Sequence, residues 1–346
     1  MTIRLSPVEP DMDGFMRTLR RKGTPSRVHY FEHGIANEVQ VEIAERHGLL
    51  AGLDRNSAHY RDDSAVALHR FLGHEFFRVF PPQARLSAPQ ADGRPANAAS
   101  GVVSNWDDLD RLNWPDPCEA DLSVLEYYES KLPENMRVFH VVSVWEVVRD
   151  TMGFETACLK FYDDPALVAE LFGRVGGFVE KVVAACCDFR CYGGVYVADD
   201  LGYKTALMIS PEAVRTFVMP WHQRIADLAH AKGKLLLLHS CGQMYALMDE
   251  YIDQVRIDAK HSFEDVVLPV TEAKRIYGQR LTLLGGMDVD LLARGSESDI
   301  RRKTREILDA CFQGGGYFLG SGNWVTSYIP PENYLAMLDE ARRYGG

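Results

Sequence analysis

An alternation restricts this chain more than any other feature. Short β-rich runs close on polar or ionisable residues, and stretches of helical periodicity separate them. Eight such runs occupy residues 27–32, 74–80, 136–143, 193–200, 234–240, 255–262, 281–288 and 316–322. Between them apolar residues return at three- and four-residue spacing, as in PALVAELFGRVGGFVEKVVAACCDF from Pro165, the signature of an amphipathic helix. Pro165 suits a first helical turn. Ser210, Pro211 and Glu212 read as a cap with an acidic first turn, and Gly233 as the stop. A further helix opens at Ser296 and ends at the glycines 314–316, and PPENYLAMLDEARRYG closes the chain.

Eight strands alternating with helices predict an α/β fold, a single (β/α)₈ TIM-type barrel over residues 1–346. An open doubly wound sheet is the competing layout, but no GxGxxG follows the first run to favour a dinucleotide site. Residues 81–134, rich in Pro, Ala, Asp and Asn, are the least periodic. They read as an irregular insertion between the second and third runs, expected to serve as a lid or dimer arm.

Bulk properties exclude some classes. Acids outnumber bases 49 to 38, a net charge of −11, which argues against a protein that coats nucleic acid. No stretch reaches the ~18 uninterrupted apolar residues of a membrane helix. MTIRLSPVEPDMDGF lacks the apolar core of a signal peptide, so a cytoplasmic location without membrane attachment is expected. The seven cysteines include the cluster Cys186, Cys187 and Cys191 but no CxxC pair. Buried thiols in a reducing compartment are expected, and no structural zinc module.

In a barrel the C-terminal strand ends form the active-site rim. That places Glu32, His33, Trp145, Glu146, Asp199, Asp200, His239, Cys241, His261, Asp288 and Asn323 together as candidates. Carboxylates and imidazoles gathered at one mouth cost desolvation unless they bind something. The sharpest pair ends the run LLLLHSCG. In an extended segment His239 and Cys241 project to the same side, where imidazole and thiolate can meet one zinc ion. Zinc catalysis needs a third protein ligand and an open position. Asp199 and Asp200 are adjacent, so one at most faces inward as a base or substrate ligand. Trp145 and Tyr203 can wall a flat or methylated ligand, or pack as core.

The stretches VADDLGYKTALMISPEAVRTFVMP, LLLLHSCG, LLGGMDVDLL and GGGYFLGSGNWVTSYIPPENYLAML resemble the uroporphyrinogen decarboxylase superfamily. The resemblance covers most of the C-terminal half in order and the N-terminal third loosely. That superfamily includes cobalamin-linked methyltransferases, which move methyl groups between a corrinoid protein and a thiol such as coenzyme M. The true decarboxylases carry an arginine-rich stretch after the first strand to clamp acidic side chains. Here EHGIANEV follows, with Glu32 and Glu38 and no arginine, so the methyltransferase branch is the closer match. That branch implies a His-x-Cys pair, matched by His239 and Cys241, and a second cysteine after the last strand. Gly322 and Asn323 stand at that position. His261 is taken as the third metal ligand, with Glu146, Asp199, Glu32 and His33 as substitutes. Cys311 reads as core.

The resemblance thus implies zinc-assisted methyl transfer between a small methylated donor or methyl-corrinoid and a thiol or corrinoid acceptor. Asp199, Glu146 and Tyr203 are the candidate catalytic groups, and Glu32, His33, Trp145, Asp200, Asp288 and Asn323 the substrate contacts. The spacing from Asp227 to His230 does not match the corrinoid-binding signature, so a corrinoid would sit on a separate partner protein. A homodimer is expected. The alternatives are a metal-independent decarboxylase or lyase acting on a small carboxylic acid, and a non-catalytic ligand-binding paralogue.

Overall fold

The computed structural model describes residues 3–81 and 101–344. The chain divides into two compact units. The first comprises Met1–Arg78, Lys131–Val138 and Asp258–Gly346, and the second Val79–Ser130 and Phe139–Ile257. Seven strands are present among the described residues: β1 (Phe76–Arg78), β2 (Arg137–Val142), β3 (Tyr192–Ala198), β4 (Leu235–His239), β5 (Ala259–His261), β6 (Thr282–Leu284) and β7 (Tyr317–Phe318).

In the second unit β3 and β4 pair in parallel, from Gly194 opposite Leu235 to Ala198 opposite His239. All five residues of β4 are buried, as a parallel strand covered on both faces requires. The covering helices follow their sequence signals. Helix Pro165–Cys187 starts on Asp164, whose side chain accepts the Leu167 amide, with Pro165 in the first turn. Leu167, Leu171, Phe172, Val175, Phe178 and Val182 form its buried stripe. It packs against helix Met219–Ala231, which continues the helical run from Pro211 through a π turn at Val214–Val218. Of the expected insertion, residues 82–100 lie outside the described residues. The rest holds helices Trp106–Arg111 and Ser123–Lys131 and a short turn at Pro117–Glu119.

The first unit repeats the strand–helix order. β5, β6 and β7 are parallel neighbours, with Lys260 opposite Leu283 and Leu283 opposite Tyr317. The run expected as a strand at 27–32 is reduced to a parallel bridge of Tyr30 to Leu319, and Ile35, just beyond it, bridges Val325 in parallel. The Phe31 amide donates to the Leu319 carbonyl (3.0 Å), and the Leu319 amide to that of His29 (2.9 Å). Helix Glu297–Cys311 opens on a capping box between Ser296 and Asp299, and its last residue, Cys311, is buried. It packs on the closing helix Pro331–Arg342.

All seven cysteines are free, and Cys186, Cys187 and Cys191 are buried thiols. No helix among the described residues is long and apolar enough to cross a membrane.

Candidate functional site

The parallel register of β3 and β4 sets two chain segments side by side just past the strands. The Asp199 amide donates to the His239 carbonyl (3.1 Å), and the Leu201 amide to Ser240 Oγ (3.0 Å). Two glycines let the following backbones touch. A Cβ on Gly242, which has φ +70°, would stand 2.4 Å from the Gly202 carbonyl oxygen. One on Gly202 would stand 2.4 Å from the Gln243 nitrogen. A side chain at either position would push the loops apart.

This close approach delivers Asp200 to the His-x-Cys pair. The Cys241 amide donates to Asp200 Oδ1 (2.7 Å). His239 Nε2 lies 3.5 Å from the same oxygen and 3.4 Å from Cys241 Sγ. The three ligand atoms all lie within 4.8 Å of one another. Donors bound tetrahedrally to zinc at about 2.0–2.3 Å stand roughly 3.3–3.8 Å apart, so the measured separations fit the ion with little movement. The Tyr196 hydroxyl sits 3.4 Å from His239 Nδ1, the outer partner that fixes the ring of a metal-binding histidine. One nitrogen, one sulfur and one oxygen donor leave room for an exogenous ligand, as catalytic zinc does.

His261, singled out in the sequence as third ligand, belongs to the first unit. There its Nε2 pairs with the Ser321 carbonyl oxygen (3.1 Å), and its ring lies 5.8 Å from that of His33. His33 is also packed edge-on to Trp324, and Asn323 is half-buried in the loop after β7. Glu32 is buried and accepts from the Ser321 amide and hydroxyl, both at 2.7 Å. Burial pushes its carboxyl up to about 8, against the lowering effect of Ser321 and Tyr334. Asp288, expected to meet substrate, accepts the Leu291 amide (2.8 Å) on Oδ1 as the cap of helix Val289–Arg294.

Asp199 also departs from expectation. Its side chain is wholly buried against His222 Nε2 (2.7 Å). It also accepts from the amides of Val144 (3.0 Å) and Glu146 (2.9 Å). Burial alone would raise its carboxyl, but His222 and the two amides prevail and hold it below the usual range. Asp199 therefore positions the start of helix Trp145–Met152 and is not exposed as a base. His222 was not among the sequence candidates. It falls on the apolar stripe of its helix with Met219, Ile225, Ala226 and Ala229, and a histidine in such a stripe is the signal that marks it.

Glu146, carried on that helix, is the carboxyl suited to proton exchange. Burial raises it to about 7, helped by the charges of Asp199 and Asp200 and opposed by Arg149. Trp145 packs as core: it is fully buried, its ring beside those of Phe161 (6.0 Å) and Phe172 (6.4 Å). Tyr203 is largely exposed, and its backbone carbonyl receives the Gln243 amide (2.7 Å).

Known proteins resemble this chain over part or all of its length. A methylated-thiol–coenzyme M methyltransferase of Methanosarcina mazei is 34% identical over 132 residues, 38% of this chain and 33% of that protein. A uroporphyrinogen decarboxylase of Streptomyces coelicolor is 26% identical over 181 residues, 51% of this chain and 47% of that protein. The matches thus span about a third to a half of these relatives' length. The solved structure of a methyltransferase from Methanosarcina mazei superposes with a TM-score of 0.69 at 17% identity. It covers 98% of this chain and 100% of its own, so the two share a fold. The sequence model of one family, uroporphyrinogen decarboxylase (URO-D), runs through residues 87–344 and takes in both β3–β4 loops. With three quarters of its length in that match, the chain belongs to the uroporphyrinogen decarboxylase family.

Proposed function

We propose that this chain is a methyltransferase built around a metal centre of Asp200, His239 and Cys241. It moves a methyl group from a small methylated donor or methyl-corrinoid to a thiol or corrinoid acceptor. One observation carries the reading: two adjacent strand ends bring three donors together at 3.4 and 3.5 Å. Zinc held there would supply Lewis acidity, keeping a substrate thiol as the more nucleophilic thiolate.

The chain's own groups do the rest. Tyr196 sets the His239 ring, and the Cys241 amide pins one oxygen of Asp200. Glu146, balanced near neutral pH, accepts the proton released when a thiol becomes a thiolate. In the transfer the donor's bond to its methyl group breaks and the donor keeps the electron pair. The acceptor's lone pair forms the new bond to carbon. A corrinoid would be carried by a separate partner protein.

Elemental analysis and a methyl-transfer assay with free corrinoid test the reading together. The wild-type chain should hold about one zinc, and Cys241→Ser and His239→Ala should lose both metal and turnover. Methyl transfer that persists unchanged in Cys241→Ser protein, with its zinc content intact, would sink the proposal. Turnover of a small carboxylic acid that survives chelation would point to a metal-independent decarboxylase. Neither metal nor turnover across a panel of methyl donors would point to a ligand-binding paralogue.

A further inference from the structure

We propose that the second unit binds a neutral small molecule with an apolar body in the cavity beside the Cys241 loop. The cavity holds about 780 Å³, within the roughly 300–1,000 Å³ of small-molecule sites. Its walls come from three segments. Cys158, Phe161 and Tyr162 stand at i, i+3 and i+4 on helix Phe154–Asp163 and share one face. The segment from Thr205 to Pro211, with Met208, forms the second wall, and Gln243 and Tyr245 the third.

None of the thirteen lining residues carries a charge, in a chain where one residue in four does. A carboxylate, sulfonate or phosphate entering here would lose water and meet no cation among the lining residues. An apolar or aromatic body would meet phenyl, phenol, thioether and thiol groups instead. The polar handle is Gln243. Its Oε1 takes the Tyr245 amide (3.2 Å), so the NH₂ end is the one presented to a ligand acceptor.

The cavity adjoins the metal-type centre through the chain itself. Gln243 is two residues beyond Cys241, a separation of at most about 7 Å between Cα atoms. The second wall is tied to the same loop, because the Gln243 amide donates to Tyr203 and the Tyr203 amide to Ala206, both at 2.7 Å. A ligand seated in the cavity therefore lies against the loop that carries Cys241. That the occupant is a methyl donor rests on the methyl-transfer reading. That the cavity takes a neutral apolar molecule does not.

Calorimetry on the full chain tests this with thioanisole as the neutral probe and 2-(methylthio)ethanesulfonate as the anionic one. Thioanisole should bind in preference to the sulfonate. Ala206→Trp and Ala246→Phe place bulk into the cavity from exposed positions, and each should weaken thioanisole by about tenfold or more. On the wild-type chain, thioanisole should protect Cys158 from N-ethylmaleimide while leaving the exposed Cys118 reactive. Preference for the sulfonate, unchanged affinity in both variants, or an unprotected Cys158 would each overturn the proposal. So would variants that alter only the association of copies of this chain. Thioanisole binding without demethylation would defeat the methyl-transfer reading and leave the cavity standing. Demethylation with an unaltered KM in both variants would do the reverse.

Discussion

Asp199 in the second unit and Glu32 in the first are both fully buried carboxyls, yet they titrate in opposite directions. Asp199 faces His222 and two backbone amides, which hold it ionised. Glu32 faces the Ser321 amide and hydroxyl and the Tyr334 phenol, none of them a cation, and is pushed up to about 8. Burial is common to the two, so it does not set the charge. The kind of donor does. The ionised carboxyl shapes the helix that carries Glu146, and the neutral one clamps the loop after β7.

The largest test of this contrast is Asp199→Ala, which strips a buried partner from His222. It should cost about 3–5 kcal/mol in urea unfolding. Because the folded carboxyl titrates below its ordinary 3.8, the stabilisation is complete above that pH. It is lost as pH falls through the folded value. A cost below about 1 kcal/mol would mean that the buried Asp199–His222 contact contributes little, and the contrast would fail.

Glu32→Gln should act next, and with the opposite pH dependence. A carboxyl raised from 4.5 to about 8 on folding makes wild-type stability fall as pH climbs through that window, then level off. The glutamine variant should lack this slope, narrowing or reversing the stability difference toward pH 8 by up to a few kcal/mol. Parallel pH profiles for the two proteins would show that Glu32 is ionised in the fold after all. The smallest effect belongs to Tyr196→Phe. Losing a hydroxyl 3.4 Å from His239 Nδ1 should weaken zinc by about tenfold or less in chelator competition. It should leave the Glu32 slope untouched. A shift in that slope would show that the two regions are coupled.

Some of this is legible in the sequence. The run LLLLH reads as a doubly covered strand because four apolar residues in succession suit no half-exposed one. The spacing of His239 and Cys241 puts them on one side by strand geometry alone. Cys311 and the cluster at 186–191 read as buried thiols in the sequence and are buried and free in the fold. The segment at 27–32 has strand composition, but only a few of its backbone groups find partners beside β7, so β propensity there yields bridges. Asp200 was visible as a rim acid but not as the third donor. Its meeting with Cys241 depends on the Ala198–His239 register and on the contact of Gly202 with Gly242. Trp145 read equally well as wall or core, and only its packing on Phe161 and Phe172 decided for core.

The sequence by itself determined what is periodic or adjacent: the strand–helix alternation, the helix caps, and the His-x-Cys pair at the end of a buried strand. Those properties depend on local backbone geometry, which repeats every few residues. Tertiary structure alone decided which acid joins that pair, which buried carboxyl keeps its charge, and which aromatic faces a cavity. Each of these depends on donors, charges and volumes supplied by segments tens of residues away, and no local pattern encodes those distances.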